Sequence, residues 1–438
     1  MEKLRSAAAA SAMHDGQRED DHTVECHPST RHRHLERTKN WADNPHTEKR
    51  VQWMNGPAGA GKTAIVRSTC TILHQILKIP FASFFFWKTD GRRNTLKPFP
   101  ATIAYQLAQK IPDLRPRIEE ALQNDPLLLE RSFKTQMEEL IITPLLSSFA
   151  SGKITERHIV IVVDGLDECA DDGRELLRFV PYFLSKLDEL PISFLIASRP
   201  EISIEDVFCN SELASVTLFS TLEASNEDVE EFLAAEFKRI YNESSYLQKK
   251  YKTWPATERF MLLVRKSSGY FICPKTAIRY IDTSGRGLRP DDRLEIVLSA
   301  LTDVDSDTPW HEPLDQLYRG ILKRQAPRRN LDGFKQRIGL LCMPGIAYPL
   351  NLHFVTQDTW SLAFFQETID DFQEAVADLT SLFSLDSQGI PVPYHASLPD
   401  FIFNCDRSLD LHSNKEALHA KVASDALYLV LTSTDLCE

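Results

Sequence analysis

The apolar positions of the chain change their period near residue 220. Upstream, short unbroken apolar runs alternate with stretches in which apolar residues recur every three or four positions. "VQWMNG" (Val51 to Gly56), "FASFFFW" (Phe81 to Trp87), "HIVIVVD" (His158 to Asp164) and "ISFLIASRP" (Ile192 to Pro200) are runs of the first kind, and "ASVTLF" near Val216 is a weaker one. An unbroken β-branched run such as Ile159 to Val163 marks a strand buried on both faces of a parallel sheet. Between the runs, "KTAIVRSTCTILHQIL", "FPATIAYQLAQKI" and "RPRIEEALQ" carry helical spacing. Strands separated by helices over this length predict an α/β domain with a doubly wound parallel sheet.

Downstream the strand signal disappears. "NEDVEEFLAAEFKRI", "ATERFMLLVRKSSG", "CPKTAIRYID" and "PLDQLYRGILKRQ" read as helices punctuated by Pro and Gly. From about Arg328, helical stretches ("FKQRIGLLCM", "IDDFQEAVADLTSLF") are followed by a two-strand signal around "FSLDSQGIPVPYH", a combination that suggests a winged helix. The expected organisation is a flexible N-terminal segment over 1–25 and an α/β domain over 26–220 with a helix at 27–45. A helical domain over 221–327 and a winged-helix-like domain over 328–438 complete it. No internal repeat is visible.

At 438 residues the chain has room for two or three domains, and 42% hydrophobic with 26% charged residues is the composition of folded protein rather than disorder. The formal net charge of −12 opposes bulk attraction to nucleic acid or an anionic membrane surface, so the expected partners exclude nucleic acid. Eight cysteines lie singly with no Cys-x-x-Cys pair, which removes support for a zinc or dithiol site and suits a reducing compartment. His27, His32 and His34 invite a metal reading that no Cys or carboxylate pattern completes. The alanine run near the N-terminus is short and followed by charges, unlike a leader, and no apolar stretch approaches the length of a membrane span. A cytoplasmic location is expected.

The candidate chemistry begins where the first strand ends. Gly56-Pro57-Ala58-Gly59-Ala60-Gly61-Lys62-Thr63 matches G-x-x-x-x-G-K-[ST] between a strand and a helix. Glycines let the backbone curl until consecutive N–H groups face one anion, and the helix beginning at Lys62 adds its positive end. Lys62 would reach the β- and γ-phosphates and the Thr63 hydroxyl would ligate Mg²⁺; Gly56 through Ala64 form the expected phosphate-binding set. Asp164 closes the buried strand "IVIVVD", where a carboxylate faces such a loop and holds the metal. Ser198-Arg199-Pro200 closes the next strand, and a guanidinium there would sense a γ-phosphate. These stations describe a nucleoside triphosphate and Mg²⁺ site, and the absence of Asn-Lys-x-Asp favours adenine.

"WMNGPAGAGKTAI", "VIVVDGLDEC", "FLIASRPE", "LVRKSSGYFI", "LDQLYRGIL" and "YHASLPDFI" resemble the NACHT family of signalling P-loop NTPases (STAND class), specifically its nephrocystin-like fungal members. The similarity runs from about Cys26 to the end, and "DGLDEC" with "ASRPE" is more specific than the glycine loop. The resemblance implies that Asp164 is the metal-site acid, and that Asp167 with Glu168 occupies the water-activating or supporting position. It also places His395 at a position that contacts the β-phosphate of bound ADP and latches a closed state; a histidine capping a turn beside the ribbon is the alternative. One departure is Phe271, which stands in "SSGYFICP" where relatives carry a G-x-P proline against adenine, with Pro274 three residues later.

The reading that results is an ATP/ADP-dependent conformational switch with slow Mg²⁺-dependent hydrolysis, in which Lys62, Asp167, Glu168 and Arg199 carry the chemistry. Whether the chain turns nucleotide over as an enzyme stays open, a weak ATPase acting as a switch being one outcome. The resemblance implies self-association on activation and roles in programmed cell death, self/non-self recognition or innate defence. A steadily turning-over P-loop ATPase or kinase is the rival, and a winged-helix DNA-binding regulator a more distant one.

Overall fold

A computed structural model describes residues 1–16, 25–88, 90–152, 158–283, 288–302, 311–326, 331–343, 379–385 and 391–434, the last of these with side chains to 424. They fall into two compact units, Met1–Glu223 and Ala224–Glu438.

The first unit is built on five parallel strands: β1 (Val51–Asn55), β2 (Phe81–Phe85), β3 (Ile159–Asp164), β4 (Ile192–Ser198) and β5 (Thr217–Thr221). Their order across the sheet is β2-β3-β4-β1-β5, so β1 lies between β4 and β5. Every residue of β1, β3 and β4 is buried, as their unbroken apolar runs require of strands covered on both faces. β5 mixes buried and open positions and forms one edge, which explains its weaker signal. Asn55 pairs with Ser198 and Thr221, so the carboxyl ends of β1, β4 and β5 finish in register. In this fold class ligands bind outside those carboxyl ends.

Aromatic packing holds the layers. Trp53 stacks on Phe208 with ring centroids 4.3 Å apart, and its indole N–H donates to Ser198 Oγ at 2.9 Å. Phe183 meets Phe194 edge-on at 5.3 Å, pinning the helix Arg174–Lys186 to β4.

The N-terminal residues differ from the loose segment expected of them. Glu2–Ala7 is helical, Leu4 and Ala12 are fully buried, and the N–H of Ala9 donates to Thr102 Oγ1 at 2.9 Å. The His14 N–H donates to Ser83 Oγ, also at 2.9 Å. The cause is a small set of buried apolar residues, Leu4 between exposed Lys3 and Arg5 and then Ala9 and Ala12, which average polarity conceals. The helix expected over 27–45 spans His32–Ala42.

The second unit is helical apart from one ribbon among its described residues. Helices Asn226–Glu243, Thr257–Lys266, Ile272–Asp282, Pro290–Ala300, Glu312–Gln325 and Leu331–Leu341 share a single buried core with Phe383 of β6 (Phe383–Leu385), whose partner strand is β7 (Pro391–Pro393). β6 and β7 pair antiparallel, Ser384 opposite Val392, and a helix at Ser397–Ile402 follows. Most of "IDDFQEAVADLTSLF" and the turn of the ribbon lie outside the described residues. Arg407 clamps the fully buried Asp315 in two bonds, Nε–Oδ2 at 2.9 Å and Nη2–Oδ1 at 2.7 Å.

Candidate functional site

The glycine loop occupies the turn between β1 and the helix Lys62–Thr71. Gly59 and Gly61 take φ of +75° and +92°, the left-handed region in which a side chain is strained. Gly56 is small for a different reason: a Cβ there would lie 3.1 Å from Leu222 Cβ and 3.3 Å from Leu222 O. The loop therefore has the left-handed turns that let successive backbone N–H groups converge, at the positive end of a helix. Lys62 folds back over it, donating from Nζ to the carbonyls of Gly56 (2.7 Å) and Pro57 (2.9 Å).

The acidic side is built by the turn after β3. Asp164, 3% exposed, ends the strand, and Gly165 follows at φ +69° with its Cα facing the Phe86 carbonyl, where a Cβ would sit 3.1 Å from the oxygen. That reversal swings the short turn Leu166–Glu168 back across the sheet end. Asp167 there accepts the Arg199 backbone N–H on Oδ1 at 2.9 Å, while its Oδ2 lies 3.2 Å from Arg199 Nε. Glu168 accepts the Lys88 N–H on Oε2 at 3.0 Å. The residues read from the sequence as Asp164, Asp167, Glu168 and Arg199 thus meet at one sheet end, and all four act electrostatically on Lys62.

The crowding shifts protonation in opposite directions. Burial drives the Lys62 ammonium down to about 8, with Asp167 the largest opposing influence. Burial, reinforced by the neighbouring Asp167 carboxylate, pushes Glu168 up to about 8. A cation and a carboxylic acid whose burial brings both close to neutrality mark this sheet end as a candidate functional site.

The donor set fits Mg²⁺. The Thr63 hydroxyl and the Asp164 carboxylate are hard oxygen ligands, and a site with few protein ligands leaves the remainder to phosphate and water. Lys62 and the loop amides suit the phosphates.

Two contributors were not legible as site residues. Lys88 acts through its backbone N–H, which no side-chain pattern reveals. Arg31 is buried at 4% exposure, and its Nη2 donates to the Ala60 carbonyl of the loop at 2.9 Å. Its only sequence signal was a place in a run of basic residues, inside the helix expected over 27–45.

His395 and Phe271 belong to the second unit, whereas the loop belongs to the first. His395 Nδ1 accepts the Ser397 N–H at 3.1 Å and lies 2.8 Å from Ser397 Oγ, which in turn lies 2.9 Å from Tyr318 OH. Nδ1 thus makes the contact that the turn-capping alternative calls for. Phe271, half-buried at the start of the helix Ile272–Asp282, packs edge-on against Phe232 at 5.8 Å. His27 Nδ1 pairs with Ser29 Oγ at 2.8 Å, and among the described residues no group of three His, Cys, Asp or Glu gathers as a metal cluster.

Comparison with known proteins bears on the first unit. Residues 30–199 match the family described as "Nephrocystin 3, N-terminal". Over 170 residues, 38% of this chain and 12% of the relative, the sequence is 25% identical to the vegetative incompatibility protein HET-E-1 of Podospora anserina. The matched stretch is thus NACHT-like, as its motifs indicated, and the chain covers only a small part of that relative's length. Solved structures similar to the chain include Cdc6p of Pyrobaculum aerophilum (11% identity, 94% of this chain and 99% of that one, TM-score 0.37). Another is the ORC1 protein of Aeropyrum pernix in complex with DNA (11% identity, 94% and 96%, TM-score 0.35).

The exclusion of nucleic acid drawn from net charge is corrected by that last likeness, since one of the similar structures is bound to DNA. The physical reason is that a whole-chain charge says nothing of local patches. Among the described residues no helix is long and apolar enough to cross a membrane. The sheet order, the glycine loop after β1 and the acidic end of β3 make the first unit a P-loop NTPase fold.

Proposed function

We propose that the chain is an ATP/ADP-binding conformational switch with slow Mg²⁺-dependent hydrolysis. The observation that carries this reading is one sheet end at which the glycine loop, with Lys62 folded over it, meets Asp164 at the close of β3 and the Asp167–Arg199 pair. Such an arrangement favours a bound polyphosphate with a divalent cation over either alone.

In this reading the amides from Gly59 to Thr63 bind phosphate oxygens, and Lys62 leaves the carbonyls of Gly56 and Pro57 to neutralise the outer phosphates. Thr63 and Asp164 would hold Mg²⁺, which when bound neutralises charge on the β- and γ-phosphate oxygens. Glu168 orients water, and Arg199, steered by Asp167, answers charge developing on the outer phosphate. His395 would give a hydrogen bond to ADP and so latch the ADP-bound state. A near-complete flip between states needs about 5.5 kcal/mol of unequal binding. A signalling role of the kind the relative's name suggests, vegetative incompatibility, and a cytoplasmic setting belong to the same proposal.

The test is to purify the chain, denature it and identify released nucleotide by chromatography. ADP in one-to-one ratio, lost in Lys62→Ala and reduced in His395→Ala, supports the switch. An empty protein that hydrolyses added ATP briskly, indifferent to His395→Ala, makes it a turnover enzyme instead.

A further inference from the structure

Arg31 is held at a cost. It precedes the helix His32–Ala42 with φ +61° and ψ 18°, a left-handed conformation that is uncommon for any residue but glycine, asparagine or aspartate. Its guanidinium is also withdrawn from water, at 4% exposure. The segment leading to it is fixed as well. The Cys26 N–H donates to Ser68 Oγ on the loop's own helix at 2.9 Å, and Thr30, itself buried, bonds the His27 carbonyl at 3.0 Å.

The two ends of the guanidinium fork go to two different carbonyls. Nη2 donates to Ala60 at 2.9 Å and Nη1 to Glu223 at 3.0 Å. Ala60 belongs to the phosphate loop, immediately before Gly61. Glu223 is the last residue of the first unit, after which the chain enters the second.

Peptide planarity gives the first bond a consequence. The carbonyl of Ala60 and the N–H of Gly61 share one plane and point in opposite directions. A guanidinium that holds the carbonyl on one side therefore keeps the Gly61 N–H turned to the other. The second bond has its own support, because Leu222 N–H donates to the Asn55 carbonyl at 2.7 Å and Leu222 packs against Gly56. The exit strand-end thus touches the loop at its start through Leu222 and near its end through Arg31.

We propose that Arg31 is a positioning residue that orients the Ala60–Gly61 peptide for phosphate and ties it to the Leu222–Glu223 exit segment. Loop occupancy and the path of the chain leaving the first unit are then read by one guanidinium. The assignment rests on the nucleotide reading above and extends it to how occupancy is transmitted. Lysine cannot replace arginine here, since a single ammonium lacks the planar fork that spans two fixed acceptors.

The test uses the full chain, ADP as probe, calorimetric titration and hydrogen-exchange mass spectrometry of segments covering residues 55–61 and 217–224. In the wild type, ADP should slow exchange in both segments. Arg31→Lys should bind ADP about tenfold more weakly, the loss of one charge-assisted hydrogen bond. It should also keep ADP protection at 55–61 and lose it at 217–224, a split that simple destabilisation would not give. Wild-type affinity and protection of both segments in Arg31→Lys overturn the proposal. If that variant does not fold, the wild type alone decides, because ADP protection confined to 55–61 also overturns it. A wild type that binds no ADP at all refutes the nucleotide reading instead, a result distinct from either.

Discussion

Asp167 holds Arg199 by two bonds, one to its backbone N–H on Oδ1 at 2.9 Å and one to its side-chain Nε from Oδ2 at 3.2 Å. The carboxylate therefore fixes both the course of the chain after β4 and the direction of the guanidinium. Asp167 is 6% exposed at the side chain and Arg199 22%, so the pair is shielded enough to be worth more than a surface ion pair. The division of labour follows. Asp167 spends both oxygens on Arg199, while Glu168 is tethered through Oε2 by one backbone N–H.

Asp167→Asn keeps one acceptor for the Arg199 N–H and removes the charge that aims the side chain. Hydrolysis of ATP should fall about 100-fold, the scale of losing one transition-state donor, while ADP affinity changes little. Arg199→Ala should cost a similar factor. If the two residues act as a unit, the double variant should be no worse than either single one in single-turnover rates. Additive losses would separate them.

The raised pKa of Glu168 predicts a pH dependence of the nucleotide-free fold. This carboxyl titrates near 4.5 when unfolded and at about 8 when folded, so between those values the native state binds the extra proton. Its contribution to stability is full below about pH 4.5 and is lost as pH rises toward 8. Glu168→Gln should flatten that decline. Urea denaturation midpoints of both proteins across pH 5 to 8 measure it, and parallel curves would contradict the shift.

Much of this site could be read in advance because its parts are local in sequence. Gly56 to Thr63 carries its own chemistry, and Ile159 to Asp164 announces both a buried strand and the acid at its end. Arg199 was legible for the same reason, being the residue after β4. What escaped depends on distance in the chain. Arg31 and Ala60 are 29 residues apart, Lys88 and Glu168 are 80 apart, and in each case one partner is a backbone group without a side-chain signature. Leu4 and Ala12 escaped because a face of small residues in a polar segment reads as loose until its partner, Thr102 on the helix Phe99–Lys110, is known.

The N-terminal segment is accordingly part of the core. Leu4→Ala removes a fully buried side chain and should destabilise the protein by about 2–5 kcal/mol. Exposed Lys3 and Arg5 serve as controls, their alanine variants staying within about 0.5 kcal/mol. Equilibrium denaturation checks both, and a neutral Leu4→Ala would mean that the segment does not pack.

The last prediction concerns the tautomer of His395. Ser397 N–H donates to Nδ1, so in the neutral ring Nδ1 is the acceptor and the proton resides on Nε2. Ser397 Oγ, 2.8 Å from that nitrogen, can then only donate to it, which leaves its lone pairs to the Tyr318 hydroxyl at 2.9 Å. Tyr318 and Ser397 are buried at 2% and 1% exposure, so the chain of donors from Tyr318 through Ser397 to His395 is shielded from competing water. If an Nε2–H donor is what ADP needs from this ring, Tyr318→Phe and Ser397→Ala should each weaken ADP binding by a fraction of the loss in His395→Ala. Nitrogen-15 shifts of the imidazole should report the Nε2–H form in the wild type and a mixture of tautomers in Ser397→Ala. Unchanged shifts together with unchanged ADP affinity would reduce His395 to a cap on the turn before Ser397–Ile402.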